Sequence, residues 1–408
     1  MIIDKKEVIL PEISMGVVGH LNHGKTTILE RLTGKRTTTH SEEIRRGITI
    51  KLGYAQCTIY KCEKCDEPEC YSTVPMCMKH NSKSVVQRKI SFVDAPGHET
   101  LMATMLSGAA IMDAAILVIA ANEPCPQQQT REHLIALDTV GVKNIIIVQN
   151  KIDLVTPEQL KKNYNEINAF VKGTVAETAP IIPISAQQGI NIDALLQAIQ
   201  TYIKTPVRDL TKDPIMIVAR SFDVNRPGKA INDLVGSVLG GALKQGRLKK
   251  GDEIIILPGF HDEDKKTWTQ LKTVIDNLNY GDMFIDEVKP GGSFGLSTKL
   301  DPYFCKADRL AGNVVCLANK PINVFTELFL ETHIIERNKE VTPLKINEPL
   351  LINAWTSRTS GVIKNIKKDI INIILTLPIA ILPGERVVIS RKVNNRWVLT
   401  GWGKIVPK

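Results

Sequence analysis

The residues best suited to chemistry lie near the start of the chain, in a short glycine-containing run. The run is Gly19-His20-Leu21-Asn22-His23-Gly24-Lys25-Thr26. It fits the pattern G-x-x-x-x-G-K-[ST], in which backbone N–H groups cradle phosphates, the lysine reaches the β- and γ-phosphates and the hydroxyl ligates Mg²⁺. We therefore predict a nucleoside-triphosphate site formed by Gly19, Asn22, His23, Gly24, Lys25, Thr26 and Thr27.

The flanking sequence predicts a strand before this phosphate loop and a helix after it. The apolar run 13–18 is typical of a short buried strand, and 27–32 is typical of a helix. A helix N-terminus directs N–H groups and the positive end of its dipole at a bound phosphate. Gly19 and Gly24 let the backbone turn between the two elements. The predicted elements therefore place the loop where a phosphate can bind.

A second motif, Asp94-Ala95-Pro96-Gly97, follows an apolar run at 90–93. We predict that Asp94 holds Mg²⁺ through water and that the Gly97 N–H contacts the γ-phosphate. His98 comes directly after, at the place where enzymes of this kind orient the attacking water. Lys25, Asp94, Gly97 and His98 are therefore candidate catalytic residues.

A polar stretch at 37–50 carries a further candidate, Thr49. A loop that covers the phosphates could place the Thr49 hydroxyl on Mg²⁺ while the γ-phosphate is present and release it after hydrolysis. The same composition is equally typical of an ordinary surface loop, so the residues alone leave both readings open.

Two later motifs indicate which base is bound. Asn150-Lys151-Ile152-Asp153 follows an apolar strand, and its Asp153 carboxylate can accept from N1–H and the exocyclic amine of guanine, with Lys151 along the base. Ser185-Ala186-Gln187 supplies a backbone N–H from Ala186 for the guanine carbonyl. Adenine lacks that donor pattern, so we predict GTP and GDP as ligands. All four motifs end strands, where ligands bind in α/β sheets.

The cysteines indicate a metal rather than disulfides. Of the eight, five crowd one insertion, and Cys62-x-x-Cys65 and Cys77-x-x-His80 have the spacing of a zinc knuckle. We predict Zn²⁺ bound by Cys62, Cys65 and Cys77. The fourth ligand is Cys70 or His80, and spacing does not decide between them.

Composition places limits on the class of protein. The 408 residues are 43% hydrophobic, enough for real cores, and the net charge of +9 is compatible with a nucleic-acid partner without requiring one. The N-terminal MIIDKKEVILPE has charges within its apolar run and does not fit a signal peptide. The most apolar window, 103–121, fits a helix followed by a strand better than a membrane span. We expect a cytoplasmic protein with no membrane association.

The chain divides by texture into three predicted domains. Residues 1–206 are expected to form an α/β P-loop GTPase domain with a mostly parallel sheet and a zinc-knuckle insertion at 57–85. Short apolar runs separated by turn residues then predict two β-barrel domains, 207–322 and 323–408. We expect Trp397 and Trp402 to pack in the core or at a corner of the last barrel rather than to form a platform for a nucleotide.

In this order the motifs resemble the translational GTPases, and closely the gamma subunits of translation initiation factor 2. The resemblance covers nearly the whole chain. The stretches that carry it are 46–54, 94–106, 122–133, 220–228 and 401–405. Asn22 departs from the aspartate usual in archaeal members, which argues against a second magnesium ion here.

The resemblance implies a GTP-gated carrier of methionyl initiator tRNA that works with the small ribosomal subunit and hydrolyses GTP slowly alone. It implies a heterotrimer with alpha and beta subunits of the same factor, and tRNA contacts at Tyr54 and Arg220. Two alternatives are an elongation-type carrier, against which the cysteine insertion and 220–228 argue, and a scaffold without catalysis. Against the scaffold stand Lys25, Thr26, Thr49, Asp94 and His98.

Overall fold

The computed structural model describes residues 9–35, 52–97, 101–225, 228, 230, 234–262, 267–281, 283–335 and 343–407. The chain forms two compact units, Met1–Val207 and Arg208–Lys408. The first carries the phosphate loop, the guanine motif and the cysteine insertion. The second carries both runs of sequence for which barrels were predicted. The finer division into three domains stays a prediction.

The first unit is an α/β sandwich around a mostly parallel sheet. Its strands are β1 (Ile13–Gly19), β2 (Gly53–Lys61), β3 (Tyr71–Ser72), β4 (Met76–Cys77), β5 (Ser82–Lys83), β6 (Val85–Asp94), β7 (Ala114–Ala120), β8 (Asn144–Asn150) and β9 (Ile181–Pro183). Among the described residues the main sheet has the order β3-β2-β6-β1-β7-β8-β9. Strands β6, β1, β7, β8 and β9 are parallel, whereas β2 runs antiparallel to β6.

Helices accompany this sheet. They are α1 (Lys25–Thr33), α2 (Met102–Ala109), α3 (Gln128–Val140), α4 (Pro157–Val171) and α5 (Ile192–Tyr202). The predicted helix-then-strand arrangement within 103–121 is confirmed by α2 and β7. Within the described part of the chain, none of the helices combines the length and apolar character needed to cross a membrane.

Continuous burial explains why the central strands read as unbroken apolar runs. Every residue of β1 and β7 is buried, as expected for parallel strands that are covered on both faces. Because these strands are parallel, the carboxyl ends of β1, β6, β8 and β9 lie at one edge of the sheet. The phosphate loop, the Asp94 motif and the guanine motif therefore leave the sheet at this edge.

Strand β6 is anchored near its amino end by a buried arginine. The Arg88 guanidinium donates to Glu12 Oε1 at 2.8 Å, to the Ile203 carbonyl at 2.8 Å and to Thr205 Oγ1 at 2.7 Å. The segment that leaves α5 is thereby tied to the strand that ends at Asp94.

The second unit contains two barrels. The first is built from β10 (Ile215–Phe222), β11 (Val238–Gln245), β12 (Leu248–Lys249), β13 (Glu253–Asp262), β14 (Thr267–Tyr280), β15 (Met283–Ile285), β16 (Glu287–Val288), β17 (Ser293–Thr298) and β18 (Val314–Leu317). In its described strands the ring runs β13-β18-β10-β11-β17-β14 and closes through pairing of β13 with β14.

The second barrel, here called the C-terminal barrel, comprises β19 (Val324–Ile334), β20 (Pro349–Ala354), β21 (Ser357–Lys367), β22 (Ile370–Ala380), β23 (Arg386–Val393) and β24 (Arg396–Ile405). These described strands close in the order β19-β22-β21-β20-β23-β24. The predicted fold class, a P-loop α/β domain followed by two barrels, is therefore confirmed.

The two C-terminal tryptophans differ from each other. Trp402 stacks on His333, with ring centroids 3.9 Å apart, and lies under Arg386. Trp397 is 41% exposed, which excludes the barrel core and leaves the barrel corner as the predicted place that the structure allows. Its position near the β23–β24 turn, where the chain reverses over Asn394 and Asn395, leaves the ring facing solvent.

Candidate nucleotide site and metal cluster

The phosphate loop turns at a glycine that no other residue could replace without strain. Gly24 has φ of 93°, in the left-handed region, and directly precedes α1. A Cβ built on it would collide with the side-chain nitrogen of Asn150. The loop therefore presents bare backbone at the N-terminus of α1, which is the arrangement that suits an anion. Asn22 is exposed on the same loop, with φ of 60°.

Lys25 is buried within this cradle. Its ammonium donates to the His20 carbonyl at 2.7 Å, and burial lowers the pKa of Lys25 to about 8, with Asp94 opposing the shift. A Cβ on Gly97 would collide with the same ammonium. The backbone of the second motif therefore lies directly beside the lysine, as a site for the γ-phosphate requires.

The two predicted magnesium ligands also meet. Thr26 Oγ1 donates to Asp94 Oδ2 at 3.3 Å, and Asp94 is fully buried. A hydroxyl next to a carboxylate is an oxygen donor set of the kind Mg²⁺ prefers. The residues present therefore fit GTP with Mg²⁺: Lys25 and the loop N–H groups would hold phosphate, and Thr26 and Asp94 would hold the ion.

Two buried histidines hold the phosphate loop in place. The Gly19 N–H donates to His133 Nδ1 at 2.9 Å, and His133 is fully buried. The Nδ1 of His23 lies 3.1 Å from the Val118 carbonyl, and its Nε2 lies 3.3 Å from Glu123. Burial lowers the pKa of His133 to about 3 and that of His23 to about 4. The His133 imidazole is therefore neutral at physiological pH, whereas the Val118 carbonyl and Glu123 oppose the effect of burial on His23.

The guanine motif is fastened to the phosphate loop. Asn150 Nδ2 donates to the His23 carbonyl at 2.9 Å, and Asn150 Oδ1 accepts from the Ala186 N–H at 3.0 Å. Ser185 is buried, and its Oγ accepts from the Gln188 N–H at 3.2 Å. Lys151 is half-buried with φ of 64°, and Asp153 is exposed, free to meet a base from solvent.

Two further residues of this site carry no motif. Arg31, on α1, donates through Nε to the Ala186 carbonyl at 3.1 Å and through Nη2 to the Gln187 carbonyl at 2.7 Å. His133, described above, is the other. Both act across long sequence separations on backbone atoms, so no local pattern indicates these contacts, although His133 ends one of the stretches that carry the family resemblance.

The cysteine insertion forms a compact cluster of three thiols and one imidazole. The ligand atoms of Cys62, Cys65, Cys77 and His80 all lie within 4.8 Å of one another. Cys65 Sγ is 3.6 Å from Cys77 Sγ and 3.3 Å from His80 Nδ1. Sulfurs about 2.3 Å from a tetrahedral Zn²⁺ lie about 3.8 Å apart, so the donor set and its spacing fit zinc.

Cys70 is outside this cluster. It is buried, and its N–H and carbonyl pair with the backbone of Asp66 and Cys62. Of the two candidates for fourth ligand, the structure therefore brings His80 to the cluster. The backbone N–H of Lys64, followed by the neighbouring ligands, lowers the pKa of Cys62 to about 6, which favours the thiolate that a metal binds, whereas burial and the neighbouring thiols raise the pKa of Cys65.

The structure does not test the predicted roles of four residues. Thr49 and His98 lie outside the described residues, so their roles stay predictions. Tyr54 is half-buried on β2, opposite Val93. Arg220 is 13% exposed and its Nε donates to Asp308 at 2.9 Å, the geometry of a structural ion pair within the first barrel. Contact of Tyr54 or Arg220 with RNA stays a prediction.

Comparisons with known proteins agree with this arrangement. The model of the elongation factor Tu GTP binding domain matches residues 11–205, and the model of the C-terminal part of initiation factor eIF2 gamma matches residues 320–405. Translation initiation factor 2 subunit gamma of Methanothermobacter thermautotrophicus is 52% identical over 97% of this chain and 98% of that protein. The same subunit of Archaeoglobus fulgidus is 51% identical over 98% of this chain and 95% of that protein.

Solved structures are similar over nearly the whole chain at lower identity. A bacterial selenocysteine-specific elongation factor superposes with a TM-score of 0.75 and 23% identity, over 98% of this chain and 59% of that longer one. Elongation factor SelB of Methanococcus maripaludis, solved with the GTP analogue GppNHp, gives 0.73 and 23%, over 98% of this chain and 80% of that one. At this identity the likeness shows a shared fold alone.

Proposed function

The chain belongs to the gamma-subunit family of translation initiation factor 2, a family of translational GTPases, and on this basis we propose that it is the tRNA-carrying subunit of such a factor. In its GTP form it binds methionyl initiator tRNA and delivers it to the small ribosomal subunit. Hydrolysis of GTP then releases the tRNA. The observation that carries the proposal is the meeting of Lys25, the Thr26–Asp94 pair and Asn150 at one edge of the sheet.

The nucleotide is held by residues with separate tasks. The loop from Gly19 to Thr27 and Lys25 bind the phosphates, while Thr26 and Asp94 bind Mg²⁺. Asp153 and the Ala186 N–H read guanine. The fastening of Asn150 to both the phosphate loop and Ala186 supports one continuous site rather than two separate ones.

Hydrolysis is coupled to release by residues around the γ-phosphate. Gly97 contacts that phosphate, Thr49 joins the Mg²⁺ shell, and His98 orients the attacking water. Loss of the γ-phosphate frees the segment that carries Thr49 and the segment that carries Gly97 and His98, and it lowers affinity for tRNA. The enzyme is slow alone, because the charge of the transition state needs help from a partner or the ribosome.

The partners follow the family. The chain forms a cytoplasmic heterotrimer with alpha and beta subunits, and domains 1–206, 207–322 and 323–408 divide the work. The first binds nucleotide and the beta subunit, and the barrels carry the alpha subunit and part of the tRNA grip. Zn²⁺ bound by Cys62, Cys65, Cys77 and His80 keeps the insertion folded.

The test is protection of the methionyl ester of initiator tRNA against spontaneous hydrolysis. The protein carries GDP or a non-hydrolysable GTP analogue, elongator methionyl-tRNA serves as the control, and the alpha subunit is present or absent. We expect protection that requires the GTP analogue and favours the initiator. Equal protection of both tRNAs would indicate an elongation-type carrier, and no protection in any state would overturn the tRNA-carrying role.

A further inference from the structure

The loop at 185–189, which is predicted to contact guanine, is held through both backbone groups of Ala186. On one side the Ala186 N–H donates to Asn150 Oδ1 at 3.0 Å. On the other side the Ala186 carbonyl accepts from Arg31 Nε at 3.1 Å, and the next carbonyl, of Gln187, accepts from Arg31 Nη2 at 2.7 Å. The Asn150 contact belongs to a guanine motif. The Arg31 contacts belong to none, since Arg31 lies on the helix that follows the phosphate loop.

The guanidinium suits this task because of its planar fork of donors. Two of its nitrogens meet two successive carbonyls, which fixes the orientation of the peptides between them. Gly189 has φ of 76°, and a Cβ built on it would lie 3.7 Å from the guanidinium carbon of Arg31. The loop thus turns back over the arginine and covers one face of it.

From these contacts we propose that Arg31 is a positioning residue for guanine recognition. It couples the helix of the phosphate loop to the loop at 185–189 and holds the Ala186 peptide where its N–H, which donates to Asn150 Oδ1 in the free protein, can be shared with the guanine carbonyl when nucleotide binds. This inference rests on the proposed function, in which Ala186 contacts that oxygen. It adds a link between phosphate binding and base reading that is independent of Asn150.

The position of Arg31 on α1 connects the phosphate-binding end of this helix to the loop at 185–189. Arg31 lies six residues after Lys25 on α1, whose first turn faces the phosphates. The helix and the base loop therefore keep a fixed separation as long as the fork is in place. Loss of the fork leaves Lys25 untouched but frees the carbonyl side of Ala186.

The experiment compares three nucleotides bound by Arg31→Met, Arg31→Lys and the wild type, using titration calorimetry. GDP is the reference, 6-thio-GDP weakens the acceptor that Ala186 reads, and IDP removes the amine that Asp153 reads. Arg31→Met keeps the aliphatic stem and removes every donor. Lys172→Met, at an exposed lysine after α4, removes one positive charge elsewhere in the same unit and serves as the matched control.

We expect Arg31→Met to weaken GDP about five-fold, as two charge-assisted hydrogen bonds at a solvent-exposed site allow. Affinity for 6-thio-GDP should fall less, so the preference for GDP over 6-thio-GDP shrinks while the preference for GDP over IDP is unchanged. Arg31→Lys, which keeps a donor without the fork, should lie between Arg31→Met and the wild type. Lys172→Met should match the wild type, and all variants should remain folded at the temperature of the titrations.

Other results would overturn the proposal. Unchanged GDP affinity in Arg31→Met, or an equal loss for all three nucleotides, would remove the positioning role of Arg31 and leave the guanine site in place. A wild type that binds GDP and 6-thio-GDP equally would instead refute the Ala186 contact in the proposed function.

Discussion

The side-chain amide of Asn150 donates to the carbonyl oxygen of His23 at 2.9 Å. Its oxygen accepts from the Ala186 N–H, so a single side chain at the end of β8 fastens the phosphate loop to the base loop. Both hydrogen bonds are buried, where an unmade bond is costly. The nucleotide site is therefore organised before nucleotide arrives.

Asn150→Ala removes both bonds at once and should weaken GDP about thirty-fold. Two buried hydrogen bonds at about 1 kcal/mol each account for that loss. Calorimetric titration with GDP measures it. Asn168→Ala is the matched control, because Asn168 bonds only locally to Tyr164 on the exposed surface of α4. Binding by Asn150→Ala within two-fold of the wild type would show that the two loops stay organised without it.

The burial of Lys25 predicts a pH dependence of nucleotide affinity. Its pKa is lowered to about 8 in the free protein, and bound phosphates raise it again. Because the nucleotide binds the protonated lysine, GDP affinity is highest below pH 8 and falls as the pH rises above it. Between pH 7.5 and 8.8 we expect a loss of about five-fold, before guanine N1 loses its own proton.

Calorimetry in two buffers of different ionisation enthalpy checks this directly. The binding of GDP should take up about 0.9 proton at pH 8.8 and about 0.2 proton at pH 7.5, because that fraction of Lys25 is deprotonated in the free protein. An affinity that stays flat over this range, without proton uptake, would mean that the Lys25 ammonium keeps its ordinary pKa in the free protein.

The buried histidines predict loss of stability in acid. The folded state holds the pKa of His133 near 3 and that of His23 near 4, both below the value of 6.5 in the unfolded chain. The stability they support is present above pH 6.5 and is lost as the pH falls toward these values, by up to about 1.4 kcal/mol per pH unit and group.

Denaturant unfolding at pH 7 and pH 5 tests this expectation. His133→Asn offers an oxygen at the place of Nδ1 as an acceptor for the Gly19 N–H, and it cannot titrate. Its unfolding free energy should depend less steeply on pH than that of the wild type. Equal steepness would assign the acid sensitivity to other groups.

The metal cluster predicts which variants keep zinc. Protein purified without added chelator should contain about one Zn²⁺ per chain, measured by atomic emission. Cys70→Ser should keep it, since Cys70 lies outside the cluster, whereas His80→Ala should lose it or bind it far more weakly. Zinc retained by His80→Ala and lost by Cys70→Ser would reverse the assignment of the fourth ligand.

Hydrolysis tests the role predicted for His98, which lies outside the described residues. His98→Ala should slow GTP hydrolysis by at least about ten-fold while leaving GTP affinity unchanged, because a residue that orients water acts on the reaction and not on binding. Single-turnover hydrolysis with the ribosome present gives the rate. An unchanged rate would assign the orientation of water to another group.

Local patterns were sufficient for the parts of the fold that follow local rules. The phosphate loop, the strand before Asp94 and the guanine motif each combine a buried strand with turn residues, and the structure has each at the predicted place. Spacing could not separate Cys70 from His80, because the answer depends on the β4–β5 hairpin, whose pairing of Cys77 with Ser82 brings His80 back toward the thiols.

Features that depend on residues far apart in the chain could not be predicted from the sequence. Strand β14 lacks the alternation that indicates a strand, since its buried residues Leu271, Ile275 and Leu278 are spaced three or four apart. Arg31 and His133 act on backbone atoms more than a hundred residues away, which no periodicity records.

Closure of the C-terminal barrel limits how other molecules can bind there. In the described part of the chain each of its six strands pairs with a neighbour on both sides. Such a barrel has no open strand edge, so it neither accepts an added strand from another polypeptide nor serves as a template for edge-to-edge aggregation. Any protein or RNA that recognises this barrel must do so through outward-facing side chains and connecting turns.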